Sequence, residues 1–380
     1  MSIKLGIDRI DEYSDVFNDK RIGLVTNHSG VNSKFESTID ILKSRFNLIK
    51  LFAPEHGVRG SLQAGVAVDS YVDERTNLPV ISLYGKSEKF TKEMLDDIDI
   101  VAVHLPDIGS RFWTYLYTMT YAMQACAAHG KTCVVFDGPN PINAMDVEGC
   151  MLNADYASFV GLYPIPFRHG LTMGECAKLF NEAYGIGGNL EIVKMSGYRR
   201  DMVFEDTGLS WILPSPNIPT PETAFAFCST CIFEGTNVSE GRGTNKPFFF
   251  IGAPWINGEK LAYHMNTQRL PGVYFRNHYF TPASSKHKDD PCQGVEMHIL
   301  DKKAFKPVQS GISLLYAIRD MHKEFEFLAL YGEGETCHFD RLTGDSYIRE
   351  GKYGLDTVMG MYERESAVFA DLKKKYHLYG

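Results

Sequence analysis

Residues 98–136 read IDIVAVHLPDIGSRFWTYLYTMTYAMQACAAHGKTCVVF, and their pattern decides the fold class. Residues 98–104 form an apolar, β-branched run, and residues 132–136 (TCVVF) form another. Between them, residues 115–128 are apolar almost all round and stop at Gly130, which predicts a buried helix. Two continuous apolar strands flanking a buried helix predict parallel neighbours in a sheet covered on both faces.

The pattern continues outward. Residues 21–27 (RIGLVTN) and 47–52 (NLIKLF) predict strands, with a helix over 37–46 between them. Residues 80–84 predict a further strand, and Thr91 is placed to cap a helix through Asp97. Downstream, 172–184 predicts a helix and 189–195 a strand. Residues 213–223, rich in proline and asparagine, predict a loop, and 231–233 and 247–251 predict extended chain. Beyond Trp255 the texture changes: strands over 273–280 and 294–300 mix with helices near Leu261, Ile312 and Thr357. The expectation is an α/β protein, with a Rossmann-like, mostly parallel sheet domain over residues 1–254 and a smaller C-terminal α+β domain over 255–380.

Charge and composition narrow the function. The formal net charge is -8 with no long basic run, which argues against a nucleic-acid partner. No run reaches the roughly 18 apolar residues of a membrane span. The first residues, MSIKLGIDRIDEY, hold no apolar secretory core, so a cytoplasmic location is expected. Among eight cysteines, Cys228 and Cys231 form a lone CxxC with no second pair for a zinc ribbon, so buried free thiols are expected and no metal. No GxGxxG follows the first strand and no GxxxxGK[ST] occurs, so no nucleotide cofactor is expected.

In open α/β sheets ligands bind beyond the carboxyl ends of the strands. The predicted strand ends deliver Asn27; then Glu55, His56 and Arg59; then Asp107 and Arg111, with Tyr115 in the helix that follows; then Asp137, Asn140 and Asn143. Glu55, fixed between Pro54 and His56, is the first candidate for a catalytic carboxyl group; the alternative is that it merely pairs with Arg59. Asp107 and Arg111 either pair with each other or meet a ligand. The segment PFRHGLTMGE (166–175) adds Arg168 and His169, while Thr172 and Glu175 have capping-box spacing. PSPNIPT (214–220) presents Asn217. FEGTNVSEGRGT (233–244) packs Glu234, Asn237, Glu240 and Arg242 among glycines that let backbone approach a ligand closely.

Taken in order, RIGLVTNHSGV, LFAPEHGVRG, DIGSRFWTY, FDGPNP, PFRHGLTMGE, PSPNIPT and FEGTNVSEGRGT resemble the NamZ-type exo-β-N-acetylmuramidase family over about residues 20–256. The resemblance implies a Rossmann-like domain, a smaller C-terminal domain that closes an active-site cleft, and release of N-acetylmuramic acid from the non-reducing end of peptidoglycan fragments. It implies that Glu55 is the catalytic carboxylate; the expectation built on it is Glu55 as acid/base, with Glu234, Glu240 and Asp107 as candidates for a second carboxylate. The substrate's lactyl carboxylate calls for an arginine, from Arg59, Arg111, Arg168 or Arg242. Asn27, Asn140, Asn217 and Asn237 suit sugar hydroxyls and the N-acetyl group. The expected partner is a disaccharide or muropeptide fragment, with no cofactor. The rival readings are a non-catalytic sugar-binding protein and a nucleotide-sugar-using enzyme.

Overall fold

The computed structural model describes residues 3–55, 57–59, 70–83, 89–328 and 336–380. Its larger sheet holds β1 (Arg21–Thr26), β2 (Asn47–Ala53), β3 (Tyr71–Asp73), β4 (Leu78–Ser82), β5 (Ile100–His104), β6 (Thr132–Phe136) and β7 (Asn189–Val193). The spatial order is β3-β4-β2-β1-β5-β6-β7, parallel throughout except for the β3–β4 pair. Strand order therefore reverses between β1 and β5.

Alternate side chains feed two cores, as the period of a strand requires. Ile22, Leu24, Ile100 and Ala102 face a cluster with the N-terminal Ile7 and Ile10, with Phe17 of α1 (Ser14–Phe17) and with Leu42 of α2 (Thr38–Arg45). Val25, Val101, Val103 and Val135 face the other way, onto α4 (Thr114–Ala128) and α5 (Met173–Glu182); α3 (Lys92–Leu95) precedes β5. Gly23 makes room in β1, because a Cβ there would sit 2.6 Å from the Phe52 ring. Thr172 caps α5 in a full capping box with Glu175, the structural role its spacing suggests.

The second core cluster continues without a break into the rest of the chain. A three-stranded antiparallel sheet, β8 (Phe250–Ala253), β10 (Cys292–Ile299) and β9 (Val273–Phe280) in that spatial order, packs with α7 (Gly258–Thr267). Behind it α6 (Pro221–Thr230) meets α8 (Pro307–Met321), so closely that a Cβ on Gly311 would lie 1.8 Å from the Ser229 carbonyl oxygen. The short α9 (His338–Thr343) and the long α10 (Leu355–Lys373) complete the fold. Among the described residues no helix is long and apolar enough to cross a membrane.

Three local expectations need correction. Residues 221–223 belong to helix α6, not to a loop: Thr220 caps it and Pro221 occupies its first turn, where a missing N–H costs nothing. Residues 231–235 form a 3₁₀ turn rather than extended chain. The extended segment expected over 247–251 is instead the strand Phe250–Ala253. Edge strand β3 was not anticipated, being three residues long and mostly exposed.

The last residues are fastened onto the large sheet. The Leu378 N–H donates to Glu175 at 2.8 Å, the Tyr379 hydroxyl donates to Asp137 at 2.6 Å, and the Arg200 N–H donates to the Gly380 carbonyl at 3.0 Å. Glu175 is also paired with the buried Arg200. Burial pushes the Asp137 carboxyl up to about 7 despite these donors.

Candidate active site

A cavity of about 550 Å³ is lined by Glu55 and Thr114 from the large-sheet half, by Asn217 and the 234–243 loop, and by Ser284 to Lys286 and His338 from the second half. Glu55 follows β2 directly. The Thr114 hydroxyl, in the first turn of α4, donates to Glu55 Oε2 at 3.0 Å. The next residue holds the backbone: the Tyr115 hydroxyl shares its proton between the Pro214 carbonyl at 3.0 Å and the Glu55 carbonyl at 3.3 Å. That hydroxyl accepts from Asn27 Nδ2 at 2.8 Å. Three chain segments thus meet at one buried phenol, and burial holds its proton on by raising its pKa.

The lining also holds a charge network. Arg242 donates to Glu234 Oε1 from Nη2 at 2.5 Å and from Nε at 3.1 Å, and His338 Nε2 lies 3.7 Å from the other Glu234 oxygen. Burial pushes the Glu234 carboxyl up, but the Arg242 charge, with the hydrogen bonds from His338 and Arg242, outweighs it and holds the group well below the usual carboxylate range. Glu234 is therefore an anion at neutral pH. Glu240 is 1% exposed; its carboxylate meets Lys286 Nζ at 2.8 Å and Arg242 Nε at 3.4 Å. Lys286 also donates to the Phe233 and Thr236 carbonyls, at 2.6 and 3.0 Å. Arg242 lies 5.1 Å over the Phe248 ring, and its Nη1 has no acceptor among the described residues.

Of the residues expected from sequence, Glu55, Asn217, Glu234, Glu240 and Arg242 are brought together here. The others are placed elsewhere, and burial explains most of them. Arg111 donates to the Cys150, Ile165 and Leu342 carbonyls at 2.8 to 3.0 Å and is fully buried. Arg168, equally buried, pairs with Glu148 at 2.8 Å and Asp146 at 3.1 Å. Asn140 donates to the Leu171 carbonyl and accepts the Ile142 N–H, closing its own turn. Asp107 faces His169 Nε2 at 3.4 Å, away from this cavity; the Leu171 N–H donates to His169 Nδ1, which assigns the ring proton to Nε2. Arg59 pairs with Asp73 at 2.8 Å, and Asn237 binds the backbone of Glu324 and Glu326. Asn27 and Tyr115 brace Glu55 rather than line the cavity. His56 lies outside the described residues.

Sequence reasoning missed Thr114, Ser284, Lys286 and His338. The T in DIGSRFWTY was in a quoted motif; the other three lie in a region read only for its strands and helices. All eight cysteines are unpaired and seven are buried, Cys228 and Cys231 among them. Among the described residues no three His, Cys, Asp or Glu side chains converge as a metal-ligand set.

Comparison with known proteins gives the family. Residues 22–222 match the N-terminal model of the exo-β-N-acetylmuramidase NamZ family, and residues 225–379 match its C-terminal model. The chain is 46% identical to the peptidoglycan β-N-acetylmuramidase NamZ of Bacillus subtilis (strain 168) over 384 residues, covering 99% of this chain and 91% of that protein. Two crystal structures of DUF1343 family proteins from Bacteroides fragilis NCTC 9343 have the same fold. One has a TM-score of 0.90 at 37% identity and the other 0.79 at 28%, each alignment covering 100% of this chain and 99% of the other. With both family models matched in order across nearly its whole length, the chain belongs to the NamZ family of exo-β-N-acetylmuramidases.

Proposed function

We propose that the protein is an exo-acting glycoside hydrolase that releases N-acetylmuramic acid from the non-reducing end of peptidoglycan fragments such as the MurNAc-GlcNAc disaccharide. The observation that carries this is one cavity lined by both Glu55 and the Glu234–Arg242 pair. Glu55 is the acid/base: it gives a proton to the bridging oxygen as the glycosidic bond breaks, and recovers one from the water that completes hydrolysis. Glu234, kept ionised by Arg242 and His338, faces the positive charge that develops at the anomeric carbon. Glu240, 1% exposed and held by Lys286 and Arg242, acts as their counter-ion.

Arg242 is the arginine for the lactyl carboxylate. Of the four expected from sequence, it alone lines this cavity, and its Nη1 is available. Asn217 is left for the acetamido or hydroxyl groups. The unpaired cysteines fit a reducing compartment, and we favour action in the cytoplasm on fragments rather than on polymeric wall.

The test is product analysis. Wild type is expected to liberate free N-acetylmuramic acid from MurNAc-β-1,4-GlcNAc, read by mass spectrometry, and to leave chitobiose intact because it lacks the lactyl group. Arg242→Lys, which keeps the charge but loses the planar fork, is expected to raise KM for the MurNAc disaccharide about tenfold. Equal cleavage of both disaccharides, or an unchanged KM, would move lactyl recognition away from Arg242.

A further inference from the structure

A second cavity lies at the carboxyl ends of β1, β5 and β6, where strand order reverses between β1 and β5. This is the position at which open α/β sheets commonly hold a ligand. It measures about 90 Å³ against about 550 Å³ for the catalytic cavity, room for one ring and not for a disaccharide. Nothing in the proposed glycosidase chemistry uses it.

Three features of its lining point to a ligand. His104 is 7% exposed and lines the cavity; its Nδ1 is bonded to the Thr38 hydroxyl at 2.5 Å, while its Nε2 has no hydrogen-bond partner among the described residues. Burial holds the imidazole neutral by lowering its pKa to about 4. At the rim Phe35, 61% exposed at the tip of the turn closed by Asn32, adds an unpacked aromatic face. Phe204 and Trp211, packed edge to face at 4.8 Å, supply aromatic surface on the outer wall. Among the described residues the lining includes no lysine or arginine, and it includes the Asp107 carboxylate, so a phosphate or carboxylate would meet no compensating charge there. A sugar would bring several hydroxyls against mostly apolar walls, whereas a flat ring with one polar edge matches them.

We propose that this cavity is a second small-molecule site that takes an uncharged heteroaromatic ring, with its polar edge on His104 Nε2 and its faces toward the aromatic walls, and that its occupancy is felt in the catalytic cavity. The coupling runs through one loop. Residues 210–212 wall the second cavity, while Ser215, Asn217 and Ile218 wall the first. Trp211 Nε1 donates to the Ile218 carbonyl at 3.1 Å, tying the two ends of that loop together. Tyr115, which braces Glu55, also holds the Pro214 carbonyl in the middle of it.

The experiment titrates benzimidazole, with benzoate as a charged ring of similar size, against the full chain by ligand-observed NMR. Saturable binding of benzimidazole, at least tenfold weaker binding of benzoate, and at least tenfold weaker benzimidazole binding in both Ser210→Trp and His104→Phe are expected. Ser210 is an exposed rim residue, so its variant stays informative if the buried His104 variant fails to fold. No saturable binding, or binding that Ser210→Trp leaves unchanged, would overturn the site. Saturating benzimidazole is also expected to change KM for the MurNAc disaccharide at least twofold in wild type and not in Ser210→Trp; an unchanged wild-type KM would overturn the coupling. That kinetic arm rests on the glycosidase reading, whereas the binding arm does not, so a failure of either is told from a failure of the other.

Discussion

Glu55→Gln is expected to lower kcat for N-acetylmuramic acid release by about 10²- to 10⁴-fold, the usual worth of a positioned general acid or base. The carboxamide has nearly the same shape and its oxygen still accepts from the Thr114 hydroxyl, which meets Glu55 Oε2 at 3.0 Å in the wild type. Folding should therefore be preserved, with a change in stability within about 0.5 kcal/mol. Substrate should still bind, because Arg242 and Asn217 are untouched. The measurement is free N-acetylmuramic acid by mass spectrometry, with a thermal melt of the same preparation. Wild-type turnover by the variant would remove Glu55 from the chemistry. Glu234 would be a poor replacement as proton donor, because Arg242 keeps it ionised.

Arg168→Leu is expected to cost about 3–5 kcal/mol of stability, the range for breaking one side of a buried ion pair. The leucine strands Glu148, whose side chain is 11% exposed and holds Arg168 through Oε1 at 2.8 Å. The other Glu148 oxygen accepts the Val308 N–H at 3.2 Å, at the start of α8, so the pair also ties the large sheet's loops to the second half of the chain. Burial already raises the Glu148 carboxyl, and losing the arginine raises it further. A carboxyl whose folded pKa lies above its unfolded value contributes stability below the unfolded value, near 4.3, and loses it as pH rises through the folded one. The deficit should therefore be larger at pH 8 than at pH 5, which urea midpoints at the two pH values will read. Activity per folded molecule should stay within a few-fold of wild type. A stable Arg168→Leu that no longer bound sugar would return Arg168 to the substrate.

These two residues mark what was legible in the sequence. Strands β1, β2, β5 and β6 announced themselves as largely apolar runs because both faces of the sheet are covered there. Edge strand β3 carries no such signal. Helix α6 did, through Thr220 and Pro221, but the prolines before it masked the start. At the site, density of polar residues near strand ends was a real signal with two causes. Glu55, Glu234 and Arg242 line a cavity. Arg111, Arg168 and Asn140 instead satisfy backbone carbonyls or carboxylates that the buried loops would otherwise leave without partners. Sequence does not separate the two, because each needs the same residue types at the same places. Ser284, Lys286 and His338 were out of reach for another reason. They arrive through tertiary contact of the second half, and no spacing rule of a parallel sheet speaks for them.

The attachment of residues 378–380 bears on how the molecule is made. A ribosome emits the seven strands of the large sheet first, and their polar loops must wait for Leu378, Tyr379 and Gly380 before Asp137, Glu175 and Arg200 acquire their last partners. At about 5–20 residues per second, that wait lasts on the order of ten to forty seconds. Through it the nascent sheet carries an ionisable cluster that still lacks these three partners.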